Sequence, residues 1–321
     1  MQTLRLTADP QGVAQAARLL AAGETVAIPT ETVYGLAADA TNGDAVARIY
    51  AAKGRPAFNP LIVHVAGMDA ARAIGHFDGP ALALAQAFWP GALTLVVPVA
   101  PGAGIASLVT AGLDTVAIRM PAHPLARQLL TELGRPVAAP SANPSGRISP
   151  TSADHVLDPD DGLGGRIAAV LDGGACPVGV ESTIIGWRDG AAALLRPGGI
   201  PAEAIEAALG GVPLLRPDMQ AASAGDAPDA PGQLLSHYAP RVPVRLNAVT
   251  AGPDETHVGF ATPGPFSLTE TGDLVQAASR LFEVLRRADR LGRPIAVAPI
   301  PDHGLGVAIN DRLRRAAAPR P

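Results

Sequence analysis

Short apolar runs alternate with helical patterns from the N-terminus to about residue 200, and most runs stop at a cluster of Pro, Thr, Ser, Asn or Gly. This alternation most constrains the fold, because a strand and a helix must each bury one apolar side, and mixed α/β layers are the stable way to do so. Residues 24–28, 61–65, 93–97, 116–120, 137–139 and 168–171 read as strands. Residues 182–187 and 192–195 flank Arg188-Asp189-Gly190, the pattern of a hairpin closed by an Asp-Gly turn. Asp9-Pro10 reads as a helix cap with proline at the first helical position, and Asn42 as a second cap ahead of Val46, Ile49 and Tyr50. Further helices are expected over 81–87, 124–133 and 202–209.

The character changes between Leu214 and Pro240, where Pro, Ala, Gly and Asp dominate in the manner of a linker. Beyond it, strands are expected over 242–246, 257–260 and 295–300. A strongly periodic helix starts at Asp273, and a last helix runs over about 306–317. The chain therefore divides into a larger mixed α/β domain over 1–210, a linker or lid over 211–240 and a small α/β domain over 241–321.

Composition excludes several classes. Hydrophobic residues make up 48%, enough for a sizeable core. The net charge of −4 argues against a surface that grips bulk nucleic acid. A single cysteine, Cys176, permits neither an intramolecular disulfide nor a Cys-based zinc cage. No signal peptide is expected from residues 1–10. No apolar run approaches the roughly 20 residues that span a bilayer, so a cytoplasmic protein is expected. The sequence lacks a Walker-type phosphate loop, a complete dinucleotide fingerprint, H-E-x-x-H and G-x-S-x-G.

Four polar clusters sit where apolar runs end, where α/β proteins collect ligands. They are Pro29-Thr30-Glu31-Thr32, Lys53-Gly54-Arg55-Pro56 with Asn59 and His64, Pro140-Ser141-Ala142-Asn143 with Ser149 and Thr151, and Glu181-Ser182-Thr183 with Arg196-Pro197-Gly198. Arg119 ends another strand. Two cations one glycine apart can converge on one polyphosphate, Lys as a point charge and Arg as a fork. Lys53 is also the only lysine among 25 basic residues, which suits either a position where Arg does not serve or a solvated surface charge. Each cluster alone is equally consistent with turn and cap chemistry. Together they describe a hollow rich in cations and hydroxyls without a nucleophile–base pair, suited to positioning and charge stabilisation.

Ile28-Pro29-Thr30-Glu31-Thr32-Val33-Tyr34-Gly35-Leu36, Lys53-Gly54-Arg55-Pro56, Asn59-Pro60-Leu61-Ile62-Val63-His64, Trp89-Pro90-Gly91, Pro140-Ser141-Ala142-Asn143 and Arg196-Pro197-Gly198 resemble the YrdC-like family. Ser236-His237-Tyr238-Ala239-Pro240 and the tail Asn310-Asp311-Arg312-Leu313-Arg314-Arg315 resemble its longer, two-domain members. The resemblance implies a twisted, open mixed α/β sheet with a concave positive cavity and a smaller C-terminal α/β domain. It implies a synthase joining L-threonine, bicarbonate and ATP into threonylcarbamoyl-adenylate, with pyrophosphate and water released. Magnesium would arrive with ATP, and no tightly bound organic cofactor is implied. A separate transferase complex would pass the threonylcarbamoyl group to tRNA; no membrane partner and no tight direct nucleic-acid binding are expected.

By the same resemblance, Thr32, His64, Arg119, Ser141 and Ser182 fall on threonine-contacting positions. Arg55, Asn59, Thr115, Asn143, Thr151 and Arg196 fall on nucleotide-contacting positions. Lys53 and Arg55 would neutralise charge developing on the phosphates, and Tyr238 would cover the bound nucleotide. The alternatives are a carbamoyl-adenylate-dependent transferase of the same fold and a non-catalytic RNA-binding module.

Overall fold

The computed structural model describes residues 2–56, 58–216 and 237–319. Strand β1 (Leu4–Leu6) leads into helix α1 (Pro10–Ala21). Asp9 caps α1 by accepting a 2.8 Å hydrogen bond from the Gly12 N–H, with Pro10 in the first turn. Strands β2 (Val26–Ile28) and β3 (Gly35–Asp39) follow, then helix α2 (Gly43–Lys53), capped by the Asn42 side chain. Next come β4 (Ile62–His64), α3 (Met68–Ile74), α4 (Gly79–Phe88), β5 (Leu93–Pro98), the short α5 (Ser107–Thr110) and β6 (Thr115–Arg119). Helix α6 (Pro124–Leu133), β7 (Val137–Ala138), α7 (Ala153–Leu157) and β8 (Ala169–Leu171) precede the hairpin β9 (Thr183–Arg188) and β10 (Ala191–Arg196), and α8 (Ala202–Ala208) ends this part.

The ten strands form one sheet in the order β1-β8-β2-β3-β7-β4-β6-β5-β9-β10. It is mixed: β2 and β3 are antiparallel, β4 and β6 parallel, β5 and β6 antiparallel. Alternation along the central strands sends Ala27, Leu36 and Val63 into one core and Val26, Ile28 and Ala37 into another, so both faces are covered. That is why these strands read as continuous apolar runs rather than alternating ones. The Asp-Gly turn also stands, with Asp189 at φ +50° and Gly190 at φ +78°. Two strands escape a reading of the sequence. β1 has three residues, and β3 is the Ala-rich Gly-Leu-Ala-Ala-Asp, poor in the β-branched residues that mark strands.

The smaller unit carries a parallel sheet of β11 (Val244–Arg245), β12 (Thr256–Val258) and β13 (Ile295–Val297), in the order β11-β13-β12. Helix α9 (Leu274–Asp289) lies between β12 and β13 in sequence, and α10 (Leu305–Ala317) follows. The stripe Ala277, Ala278, Leu281, Phe282, Leu285 and Ala288 of α9 is buried, as its period requires. Its core also takes in Val33, Ile148 and Val180 from the larger part, and Tyr238. Packing between the two parts is tight at Gly179, where a Cβ would lie 2.4 Å from the Ser279 Cα.

Candidate active site

The site forms where four chain segments meet on the large sheet. After β2, the chain turns through Thr30, whose hydroxyl donates to the Val33 carbonyl at 2.6 Å and lies 2.8 Å from Thr32 Oγ1. β4 and β6 pair so that His64 stands directly beside Arg119. Arg119 reaches across to the first segment: Nη1 donates to Thr32 Oγ1 at 2.8 Å and Nη2 to Glu31 Oε1 at 2.5 Å. On the far side, Ser182 sits 2.7 Å from Thr94 Oγ1, and Arg196 donates to the Ser182 carbonyl at 2.9 Å.

Since β4 and β6 run opposite to β2 and β7, these groups do not share the C-terminal ends of parallel strands, as the sequence pattern suggests. They meet because the sheet is twisted and open, and its concave side gathers strand ends of both directions.

One hollow of about 50 Å³ is lined by Thr32, Arg55, His64, Arg119, Ser141, Ser182, Arg196 and Tyr238, together with Thr30, Glu181 and His237. Asn59 and Asn143 are buried nearby. Both amide atoms of Asn59 and the Oδ1 of Asn143 make no hydrogen bond within the protein, which suits groups reserved for a ligand. Thr115 and Thr151 do not line this hollow. Thr115 lines a separate one of about 710 Å³ beside Trp187 and Arg188, and the Thr151 hydroxyl lies 3.3 Å from His155 Nδ1.

Lys53 and Arg55 part company, contrary to the convergence expected from their spacing. Gly54, at φ +61°, ends α2 and turns the chain between them. The Lys53 ammonium donates to the carbonyls of Ser141 and Asn143, each at 2.5 Å, and so holds the Ser141–Asn143 loop from behind. Arg55 donates to the carbonyls of Asn59 at 3.2 Å and Pro60 at 2.8 Å, and also lines the hollow.

Burial, and then the Arg119 charge, push the His64 pKa down to about 3, so its imidazole is neutral at physiological pH. Burial pushes the Glu31 carboxyl up, but the Arg119 guanidinium overrides this and holds it below the usual range. Arg55 is lowered by burial to about 10 and keeps its charge at neutral pH. The hollow thus presents Arg55, Arg119 and Arg196 with a neutral imidazole and several hydroxyls. Among the described residues, no group of three or more His, Cys, Asp or Glu is placed to hold a metal ion.

His237, Glu181 and Arg312 acquire roles that their sequence positions did not assign. His237 and Tyr238 are both buried against the hollow. Arg312, on α10, is fully buried and donates to Glu181 Oε2 at 2.8 Å and the Pro197 carbonyl at 2.6 Å. It also lies 5.2 Å from the Tyr238 ring, which stacks on Phe282. The sequence marked Arg312 only as part of the tail that resembles the longer, two-domain members, and its charged helical spacing ordinarily describes a solvated face.

A twisted open mixed sheet whose concave hollow collects buried arginines and hydroxyls defines a YrdC-like α/β protein built to hold small anionic ligands. The chain belongs to the Sua5/YciO/YrdC family: that family's model, described as telomere recombination, matches residues 18–198. A second model, the C-terminal domain of threonylcarbamoyl-AMP synthase, matches residues 200–318. The threonylcarbamoyl-AMP synthase of Bacillus subtilis is 44% identical over 339 residues, covering 98% of this chain and 95% of that protein. The crystal structure of Pyrococcus abyssi Sua5 complexed with L-threonine is similar at TM-score 0.88 and 37% identity, covering 99% of this chain and 98% of that one. Escherichia coli YciO, at 19% identity and TM-score 0.53, shares the fold over 61% of this chain. No helix among the described residues is long and apolar enough to cross a membrane.

Proposed function

We propose that this chain is a threonylcarbamoyl-AMP synthase, a nucleotidyltransferase that makes threonylcarbamoyl-adenylate and pyrophosphate from L-threonine, bicarbonate and ATP. The observation that carries this reading is the single hollow in which the Arg119–Thr32 pair faces Arg55 and Arg196. That pairing suits an amino acid on one side and a nucleotide on the other. The relatives named threonylcarbamoyl-AMP synthase, similar over nearly the whole chain, support it.

In this mechanism the threonine amine and bicarbonate combine, with loss of water, into an N-carboxylate. Its oxygen attacks the α-phosphorus of ATP, the new O–P bond forms, and the bond to the β,γ-phosphates breaks to release pyrophosphate. Arg119 holds the threonine carboxylate, while Thr32, Ser141 and Ser182 take its polar groups. Neutral His64 offers a hydrogen bond without competing for the carboxylate. Arg55 and Arg196 stabilise phosphate charge in a low-dielectric pocket, and Asn59 and Asn143 complete the nucleotide contacts. Lys53 acts by fixing the Ser141–Asn143 loop.

A hollow of about 50 Å³ is far smaller than a nucleotide needs, so His237 and Tyr238 must shift outward to admit ATP and return over it. Ser236 and most of the proposed 211–240 linker lie outside the described residues. The division into 1–210, 211–240 and 241–321 belongs to the same proposal. Magnesium enters as part of the ATP substrate. The product, a reactive mixed anhydride, calls for a separate tRNA-modifying transferase complex in the cytoplasm.

The test is pyrophosphate release from Mg–ATP with and without L-threonine and bicarbonate. Release that requires both, with L-serine clearly poorer, is expected. Release indifferent to threonine would overturn the substrate assignment.

A further inference from the structure

Helix α9 of the C-terminal unit presents a polar stripe to the larger part. Ser279, Glu283, Arg286 and Arg290 stand four, three and four residues apart, so they share one helical face. Ser279 packs on Gly179. Glu283 Oε2 lies 2.6 Å from His155 Nε2, Arg286 donates to the Ile148 carbonyl, and Arg290 donates to Asp158 Oδ2 at 2.8 Å. Three of these four contacts fall on a single stretch, residues 148–158, which begins five residues after Asn143, the end of the loop held by Lys53. No other helix of the C-terminal unit grips that stretch among the hydrogen bonds described.

The contact with His155 carries directional information. The Thr151 backbone N–H donates to His155 Nδ1 at 3.2 Å. A ring nitrogen that accepts cannot carry the proton, so in the neutral ring the proton sits on Nε2 and is donated to Glu283. Glu283 thereby fixes both the tautomer and the orientation of His155, and His155 fixes Thr151. The same stretch is tied into the site's wall: the Tyr34 N–H donates to the Pro150 carbonyl and the Cys176 N–H to the Thr151 carbonyl, each at 2.9 Å. His155 is buried, whereas the Glu283 side chain is 46% exposed. Solvent screens such a pair, so its contribution to global stability is small and its value lies in geometry.

We propose that Glu283 and His155 are positioning residues for the nucleotide half of the site, through which the C-terminal domain sets the 148–158 stretch and the Ser141–Asn143 loop before it. The proposal rests on the reading that Arg55, Asn59 and Asn143 receive ATP. In the threonine half, Thr32, His64 and Arg119 stand on the large sheet's own segments and make no hydrogen bond with α9, and only Ser141 shares the loop, at its far end from residues 148–158 and held there by Lys53. Loosening Glu283 therefore weakens ATP more than threonine.

The experiment uses the full chain and three variants, Glu283→Ala, Glu283→Gln and His155→Leu. It measures Mg–ATP affinity by calorimetry and KM for ATP and for L-threonine by pyrophosphate release. Glu283→Ala and His155→Leu are expected to raise the ATP Kd and KM by about three- to tenfold, the loss of one or two hydrogen bonds, with a clearly smaller rise in the threonine KM. Glu283→Gln keeps an acceptor for the Nε2 proton and is expected to restore most of the affinity. An unchanged ATP Kd in Glu283→Ala, an equal rise in both KM values, or a Gln variant as impaired as the Ala variant overturns the proposal. A wild-type chain with no affinity for Mg–ATP would instead overturn the nucleotide assignment on which it stands, so the two failures are told apart.

Discussion

At the scale of single residues, the lone lysine is explained by shape. Two carbonyl oxygens at 2.5 Å, both on one loop, enclose the Lys53 ammonium, and a planar guanidinium has no room to meet both from the same position. Lys53→Ala leaves two buried carbonyls without a donor, and we expect turnover to fall by more than about tenfold. Lys53→Arg should recover little of it despite keeping the charge; pyrophosphate-release kinetics showing wild-type activity in the Arg variant would refute the shape argument. His64 makes a different prediction. Its folded pKa is pushed down to about 3, while an unfolded histidine titrates near ~6.5. Between those values the unfolded chain binds a proton that the folded chain refuses, so stability falls as pH drops from about 6.5 towards 3. Urea unfolding at several pH values should show this slope. His64→Phe should flatten it, and an unaltered slope would mean that His64 is not held neutral.

At the scale of elements, the end of α2 decides how the basic motif works. Gly54 adopts a left-handed conformation that sends Lys53 and Arg55 towards different partners, and no atom would obstruct a Cβ there. The cost of Gly54→Ala is therefore that of the backbone conformation alone, about 1 kcal/mol. Denaturant titration should report a loss of that size. No loss would show that the helix ends in another way. The caps of α1 and α2 and the β9–β10 turn were readable because their signals lie within a few neighbouring residues. β3 was not, because an Ala-rich segment becomes a strand only when β2 and β7 supply its hydrogen bonds on either side.

At the scale of the molecule, the two units are joined through buried charge. Arg312 and Glu181 are separated by 131 residues in sequence, and each is nearly or fully buried. Glu181 also accepts from Ser149 at 2.5 Å, so one carboxylate links α10, the segment before β9 and the stretch that α9 grips. Removing one partner of such a pair strands the other in a low dielectric. Arg312→Met should lower stability by about 3–5 kcal/mol, and adding Glu181→Gln should return part of it. If urea unfolding showed the two changes to be simply additive, the pair would not be energetically coupled.

The sequence by itself determined what depends on neighbours and on residue chemistry: the alternation that makes an α/β sheet, the caps, the Asp-Gly hairpin, and motifs specific enough to identify the family. It also named most of the residues that line the hollow, because their hydroxyl and guanidinium groups interrupt apolar runs. Tertiary structure alone decided that Lys53 faces a loop while Arg55 reaches the hollow, that Thr115 and Thr151 stand away from it, and that His237 joins Tyr238 in its lining. It alone placed Arg312 against Glu181 and Tyr238, and Glu283 against His155. The physical reason is the same in each case. A hydrogen bond or ion pair between residues far apart in sequence leaves no periodicity behind, and a buried guanidinium and a solvated one are the same letter until the fold brings their partners together.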